Sequence, residues 1–345
     1  MQKRIIDSKE TMPLRLLFVT QTVDRNDPVL GFVARWIEEF VAQDVRVTVF
    51  ARILKKADLP SNVSSEEIGK PKLRRVLKLW FYSIKHRKEY DAVLIHMTPE
   101  ILVMGWPVWF LLRKKVSLWY IHPHVSWWLR ISVNLCKIIF TATERSVNVK
   151  TEKKKVVGHG IDTDLFKPTV ELKSEPDIYY VGRISPVKRV ENIIDFLGSF
   201  HKKYPDCPWT FIMQGSSKEH ELYYDGLMSQ AAKLNIADRF VHKGAVTQNE
   251  LPSIYSNASV TMSATPTGSL DKVVLESLAC GTPVFAVGKD YVELPGVTDM
   301  NSEEAHERLY GLLSSPRVDS QARKGITERH DLKRLIASLI KLMSS

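Results

Sequence analysis

The sequence predicts an α/β protein built from two open parallel sheets in series. Short apolar runs of strand length alternate with helix-period segments, and this alternation occurs twice. Between the two series lies residues 158–176, a stretch rich in Gly, Asp, Lys and Pro, as a linker is. A chain of 345 residues accommodates two domains at about 100–200 residues each.

The elements follow in order. LRLLFVT at 14–20 reads as a buried strand, 30–42 as an amphipathic helix and 45–50 as a second strand. Residues 92–96 and 116–122 are apolar runs ending in polar residues, with helix-like segments between them, and 138–143 is a further strand of the same half. The longest apolar run, 101–112, holds Gly105 and Pro107 and falls short of the roughly 20 residues that span a bilayer, so it reads as a buried helix. After the linker come a strand at 177–181, a helix at 187–200, a strand at 209–214 and a helix at 222–234. A strand at 240–242, a helix at 251–257 and a strand at 259–263 follow, then a short helix carrying Glu276, a strand at 284–287 and a final amphipathic helix at 331–343. Open sheets of this kind bind ligands beyond the carboxyl ends of their strands.

Composition is that of a soluble globular protein, 44% hydrophobic and 26% charged. Cys136, Cys207 and Cys280 have neither metal spacing nor a disulfide pattern, which suits a reducing cytoplasm, and MQKRIIDSKETMP shows no apolar signal core. Charge is uneven. Residues 1–158 hold 28 Lys+Arg against 15 Asp+Glu, and 159–345 hold 21 against 24. A basic half beside a near-neutral one points to an anionic partner. The densest part is 68–88, with eight cations and no acid. There Leu73, Val76, Leu77, Trp80, Phe81 and Ile84 recur on one helical face. Such a helix either packs that face on the first sheet or lies on an anionic membrane surface.

Two segments carry candidate chemistry. YVGRISPVK at 180–188 ends a strand and enters a helix, with Lys188 one turn inside it. Arg183 and Lys188 suit a diphosphate, each charge-assisted bond being worth about 1.5–3 kcal/mol, or else are a capping arginine and a solvated lysine. TGSLDKVVLESLACGTPVFAV at 267–287 gives a turn, a helix start and one carboxylate, Glu276, whose two oxygens can accept from neighbouring sugar hydroxyls. No dinucleotide-type G-x-G-x-x-G and no P-loop motif is present.

GHGIDTDLF at 158–166, GRISPVK at 182–188, FVHKGAV at 240–246 and residues 263–287, in this order and spacing, resemble the retaining glycosyltransferases of family 4, which have the GT-B fold. LIHMTPE at 94–100 and LWYIH at 118–122 resemble the family more loosely. The resemblance implies two Rossmann-like domains facing a central cleft. Residues 1–165 would bind the acceptor, 166–327 the nucleotide sugar, and 328–345 would form a helix packing back toward the first domain. It implies transfer of a hexosyl group from a UDP- or GDP-linked sugar to a glycan or lipid-linked acceptor, with no catalytic metal and no cofactor.

Carried over residue by residue, Arg183 and Lys188 match the pair holding the donor diphosphate, and Glu276 matches the second glutamate of E-x₇-E, on the donor ribose. Gly244, Ala245 and Val246 match the base contact, and Gly182 accompanies Arg183. His122 matches a histidine near the donor sugar, with His124 as second choice. Gly31 and His96 are further candidates for sugar or acceptor contact, although a lone strand-end histidine such as His96 also suits a structural place. His159 matches a hinge. The first glutamate of E-x₇-E falls on Gly268, a departure that bears on the sugar's identity and on activity. Asp271 can supply the missing carboxylate or merely complement the helix dipole. The backbone N–H groups of Ser269, Leu270 and Asp271, with Lys272 beside them, are then expected to face phosphate or sugar. The expected enzyme works in the cytoplasm or peripherally on the inner membrane face. The rival readings are a GT-B protein that binds nucleotide sugar without turnover and, with no supporting motif, a nucleic-acid-binding protein.

Overall fold

Buried runs of Val, Ile, Leu and Phe set the strands of two sheets, and the helices cover them. The computed structural model describes residues 13–27, 30–69, 72–169, 176–265, 270–288, 291, 294–315 and 318–345. The first series is β1 (Arg15–Val23), α1 (Val33–Ala42), β2 (Arg46–Leu54), β3 (Ser64–Glu67), α2 (Lys72–Lys85), β4 (Ala92–His96), α3 (Pro99–Leu111), β5 (Lys115–Trp119), α4 (Trp127–Leu135), β6 (Ile138–Thr141) and β7 (Lys154–Val156). These strands form a seven-stranded sheet of order β3-β2-β1-β4-β5-β6-β7. Leu16, Leu17, Phe18 and Val19 of β1 are fully buried at its centre, paired in parallel with β2 and β4.

The second series is β8 (Asp177–Val181), α5 (Val190–Lys203), β9 (Thr210–Gln214), α6 (Glu221–Lys233), β10 (Phe240–Gly244), α7 (Leu251–Asn257), β11 (Val260–Ser263), α8 (Lys272–Ala279), β12 (Val284–Ala286), β13 (Val297–Asp299), α9 (Ala305–Ser314), α10 (Ser320–Arg329) and α11 (Leu332–Ser344). Its six-stranded sheet runs β10-β9-β8-β11-β12-β13. Strand order therefore reverses between β8 and β11, the switch point at which such sheets open a crevice beyond their carboxyl ends. This two-sheet architecture is the GT-B fold.

Compact packing divides the chain into two units, one of residues 13–119, 127–139 and 339–345, the other of 120–126 and 140–338. Within the first, Met343 and Ser344 of α11 line a surface hollow with Leu14, Arg15, Asp91 and Lys114.

Three expectations need correction. The strand expected at 116–122 stops at Trp119, short of Pro123, with the Tyr120 N–H still donating to the Phe140 carbonyl of β6. The helix expected from 187 is broken: Pro186–Lys188 is a 3₁₀ turn, Arg189 sits at φ 51°, and α5 starts only at Val190. Lys188 thus precedes the helix rather than lying one turn inside it. On α2 the apolar stripe does not pack on the sheet. Leu79, Ser83 and His86 are buried, whereas Leu73, Leu77, Trp80, Phe81 and Ile84 are exposed.

Candidate functional site

The carboxyl edge of the second sheet is built from glycines and polar termini. β8 ends in Val181-Gly182 and β9 in Gln214-Gly215, and Gly182 N–H donates to the Gln214 carbonyl at 3.0 Å. A Cβ at position 215 would collide with the Gly182 carbonyl, so only glycine lets the two strand ends approach this closely. Gln214 Nε2 donates to the Gly244 carbonyl at 2.7 Å, and His242 Nε2 lies 2.8 Å from the Gly215 carbonyl. Gly244, at φ 76°, has open space where a side chain would stand, and Ala245 after it is exposed while Val246 is half-buried.

Arg183 leaves β8 immediately after this pinch. Its carbonyl accepts from Tyr180 Oη at 2.7 Å, and its side chain is exposed. Five residues on, Lys188 Nζ is 2.7 Å from Asp271 Oδ2, with only 22% and 13% of the two side chains exposed. Asp271 is the residue preceding α8. Thr265 Oγ1 donates to the same Oδ2 at 3.1 Å, and the Asp271 N–H donates to Tyr291 Oη at 3.0 Å. That amide is therefore engaged within the protein, contrary to the expectation that it is available to a ligand. Leu270 buries its side chain in the core, leaving only its backbone near the edge. Gly268 and Ser269 lie outside the described residues.

Glu276 lies one turn into α8 and is buried. Tyr255 Oη donates to its Oε2 at 3.2 Å, and Lys272 Nζ stands 3.6 Å from its Oε1, an i,i+4 pair along the helix. Burial pushes the Glu276 carboxyl up and the Lys272 ammonium down, and each is drawn back in part by the other. Burial with the neighbouring Glu276 charge raises Tyr255 well above the ordinary phenol value.

Behind this cluster lie two buried histidines. His159 sits between Gly158 at φ 86° and Gly160 at φ 81°, where the Gly160 and Ile161 amides donate to the His330 carbonyl. Burial, then the Lys272 charge, lowers the His159 pKa to about 3, and burial lowers that of His330 to about 4. Neither Nδ1 has a hydrogen-bond partner among the described residues.

The structure thus places two ion pairs, Lys188–Asp271 and Lys272–Glu276, side by side at the start of α8 near the switch point, with Arg183 and Gly182 on the adjoining strand end and Gly244 two strands away. It does not connect the remaining candidates to them. His96 is 1% exposed, its ring packed among Phe18, Phe32 and Trp36 with Thr20 Oγ1 at 3.3 Å from Nδ1. It is buried in an aromatic cluster of the first unit. Gly31 is buried, and a Cβ there would stand 2.8 Å from the Arg25 and Asp27 carbonyl oxygens, so close packing favours glycine at this position. His122 and His124 are exposed in the loop after β5, where the His124 N–H donates to His122 Nδ1 at 3.0 Å. Tyr255, Thr265, Tyr291, Gln214 and Gly215 were not picked out by sequence reasoning. The Gly after a strand-end Gln could have marked the last two; nothing in the local pattern marks the others.

Comparison with known proteins finds a similarity over this edge. Residues 162–309 match the model of the glycosyl transferases group 1. Among curated relatives, the chain is 28% identical over 147 residues to a D-inositol 3-phosphate glycosyltransferase of Acidothermus cellulolyticus, covering 39% of this chain and 33% of that one. It is 27% identical over 196 residues to a GDP-mannose-dependent alpha-(1-6)-phosphatidylinositol monomannoside mannosyltransferase of Mycolicibacterium smegmatis, covering 50% and 49%. The chain thus spans about a third to a half of the length of these relatives. Among solved structures, Anabaena Alr3699/HepE in complex with UDP superposes with a TM-score of 0.71 at 20% identity, covering 96% and 100% of the two chains. A glycosyltransferase from Rickettsia africae superposes at 0.77 with 12% identity, covering 96% and 98%.

Proposed function

From the group 1 glycosyl transferase domain that this GT-B chain carries, we propose that the protein moves a hexosyl group from a nucleotide diphosphate sugar to a hydroxyl of a glycan or lipid-linked acceptor, with retention of configuration and without a catalytic metal. The observation that carries the reading is the two ion pairs Lys188–Asp271 and Lys272–Glu276, adjoining at the start of α8 by the switch point and inside the matched residues. The donor in this reading is UDP- or GDP-linked. The relatives named for inositol phosphate and phosphatidylinositol mannoside favour an acceptor that is a polyol phosphate or its lipid.

In this reading Lys188 spends one of its three N–H donors on Asp271 and turns the others to the diphosphate, while Asp271 fixes its position. The exposed Arg183 guanidinium supplies a planar fork to the same oxygens. As the glycosyl–oxygen bond breaks, its electron pair goes to the departing phosphate, and these cations offset the growing charge. The acceptor oxygen bonds to the sugar carbon on the face just vacated, and its proton passes to the leaving phosphate oxygen. Glu276, aligned by Tyr255, accepts from the ribose hydroxyls when Lys272 yields its place.

A second reading, nucleotide-sugar binding without turnover, is favoured by Gly268 standing where the family has a glutamate and by a carboxylate, Asp271, seated on the diphosphate lysine. Purified protein is to be screened against UDP-, GDP- and ADP-sugars for thermal stabilisation and nucleotide release. A donor at about 100 times its Kd stabilises by about 2.7 kcal/mol. Stabilisation with release supports transfer, stabilisation without release supports the second reading, and no shift with any donor refutes both.

A further inference from the structure

We infer that the outward face of α2, with the adjoining ends of α3 and α4, docks on an anionic phospholipid bilayer. The inference stands on this surface alone and does not depend on the sugar chemistry. Leu73, Leu77, Trp80, Phe81 and Ile84 are between 38% and 76% exposed. At helical spacing they fall within an arc of about 100°, and Arg74, Lys78 and Lys85 border it on one side. The opposite face, through Leu79, Ser83 and His86, is the one that packs. An amphipathic helix in a folded domain ordinarily turns its apolar stripe to the core. Here that stripe, aromatic residues included, is held out to solvent.

The neighbouring helices extend this surface. α2 packs on α3, where Trp80 Nε1 donates to the Met104 carbonyl at 2.7 Å, and α3 packs on α4. Phe110 and Leu111 at the end of α3 are 62% and 79% exposed, and Trp127 and Ile131 project from α4 with Arg130 beside them. Exposed apolar area on this scale marks an interaction site.

Charge selects the occupant. Residues 68–88 carry no acid; of the acids flanking them, Glu66 is taken up by Lys85 at 2.6 Å and by His86, Glu89 stands 2.9 Å from His86 Nδ1, and Glu67 is exposed. Arg74, Arg87, Lys88 and Arg113 stay exposed around the apolar patch. Apolar and indole side chains ringed by cations complement an acyl boundary beneath anionic headgroups. Among the described residues no helix is long and apolar enough to cross a membrane, so contact of this kind is with the surface.

The test is co-sedimentation of the full chain with phosphatidylcholine vesicles, with and without phosphatidylglycerol, in the absence of any nucleotide sugar. Binding is expected only with phosphatidylglycerol, and to weaken as salt rises. Leu77→Ser with Phe81→Ser should lower partitioning by at least about tenfold. Arg74→Gln and Lys88→Gln should each lower it by about fivefold. The thermal unfolding temperature should not change, since these side chains are exposed. Absence of binding to phosphatidylglycerol vesicles, or equal binding to both compositions, overturns the inference. So does self-association without vesicles that Phe81→Ser abolishes, which would make a second copy of the chain the occupant.

Discussion

Replacing Lys188 by Gln keeps the length of the side chain and removes its charge. The Lys188–Asp271 pair is 2.7 Å long and mostly buried, so each single change, Lys188→Gln or Asp271→Asn, forfeits a charge-assisted bond worth about 1.5–3 kcal/mol. At about 2–4 °C per kcal/mol for a unit of this size, unfolding should move down by roughly 3–12 °C. The double variant should fall well short of the sum, because the second change removes nothing once the pair is gone; the coupling in the cycle should be about 1.5–3 kcal/mol. Function separates the two residues. Lys188→Gln should lower turnover by roughly 10²–10³, as loss of one preorganised donor does, while Asp271→Asn, which leaves the lysine charge in place, should retain most donor affinity. Urea titrations of the four proteins and calorimetric titration with the best nucleotide sugar provide both readouts. Additive stabilities, or unaltered donor affinity and turnover in Lys188→Gln, would refute the assignment of this lysine to the diphosphate.

Glu276→Gln should weaken nucleotide-sugar binding by about tenfold or more, through loss of a charged acceptor, and nucleotide competition would read it. Gly215→Ala should destabilise by about 1–3 kcal/mol or more and impair donor binding together with it, because the added methyl meets the Gly182 carbonyl; a urea midpoint unchanged from the parent would sink this. His159 and His330 hold protons less readily folded than unfolded, so the unfolded chain gains protons as pH drops below about 6.5 and acid favours unfolding. Their stabilisation, whole at pH 7, should decline by about 2–3 kcal/mol for each histidine by about pH 4.5, and His159→Gln should flatten that decline in urea titrations at the two pH values.

The sheets were legible because their central strands are continuous apolar runs, such as LLFV in β1 and AVLI in β4, which have little alternative but burial. The edge strands were not. SSEE in β3, KKV in β7 and VTD in β13 are held by backbone pairing at a sheet margin and carry no apolar pattern to read. α10, reading SQARKGITER, is similarly polar and was missed, although Asp319 caps it with bonds to the Gln321 and Ala322 amides. At the site, Lys188 and Glu276 could be singled out from local pattern, but their partners could not. Asp271 and Tyr255 reach them from other parts of the chain, Asp271 once β8 lies beside β11 and Tyr255 once α7 packs on α8. α2 shows the reverse limit: periodicity located the stripe and the helix correctly, yet nothing in a period says which side faces the sheet.

The division of the chain has a practical consequence for making hybrids. Because the backbone passes from one packed body to the other near 119, 126, 139 and 338, neither body is a single continuous stretch. Grafting the second body into a relative by one splice within the Gly- and Pro-containing stretch 158–176 would carry the tail from 339 onward away from Leu14, Arg15 and Asp91, with which Met343 and Ser344 line one hollow. A hybrid that exchanges the second body would therefore keep the native tail as well, treating it as a separate insert sewn back after the transplanted body.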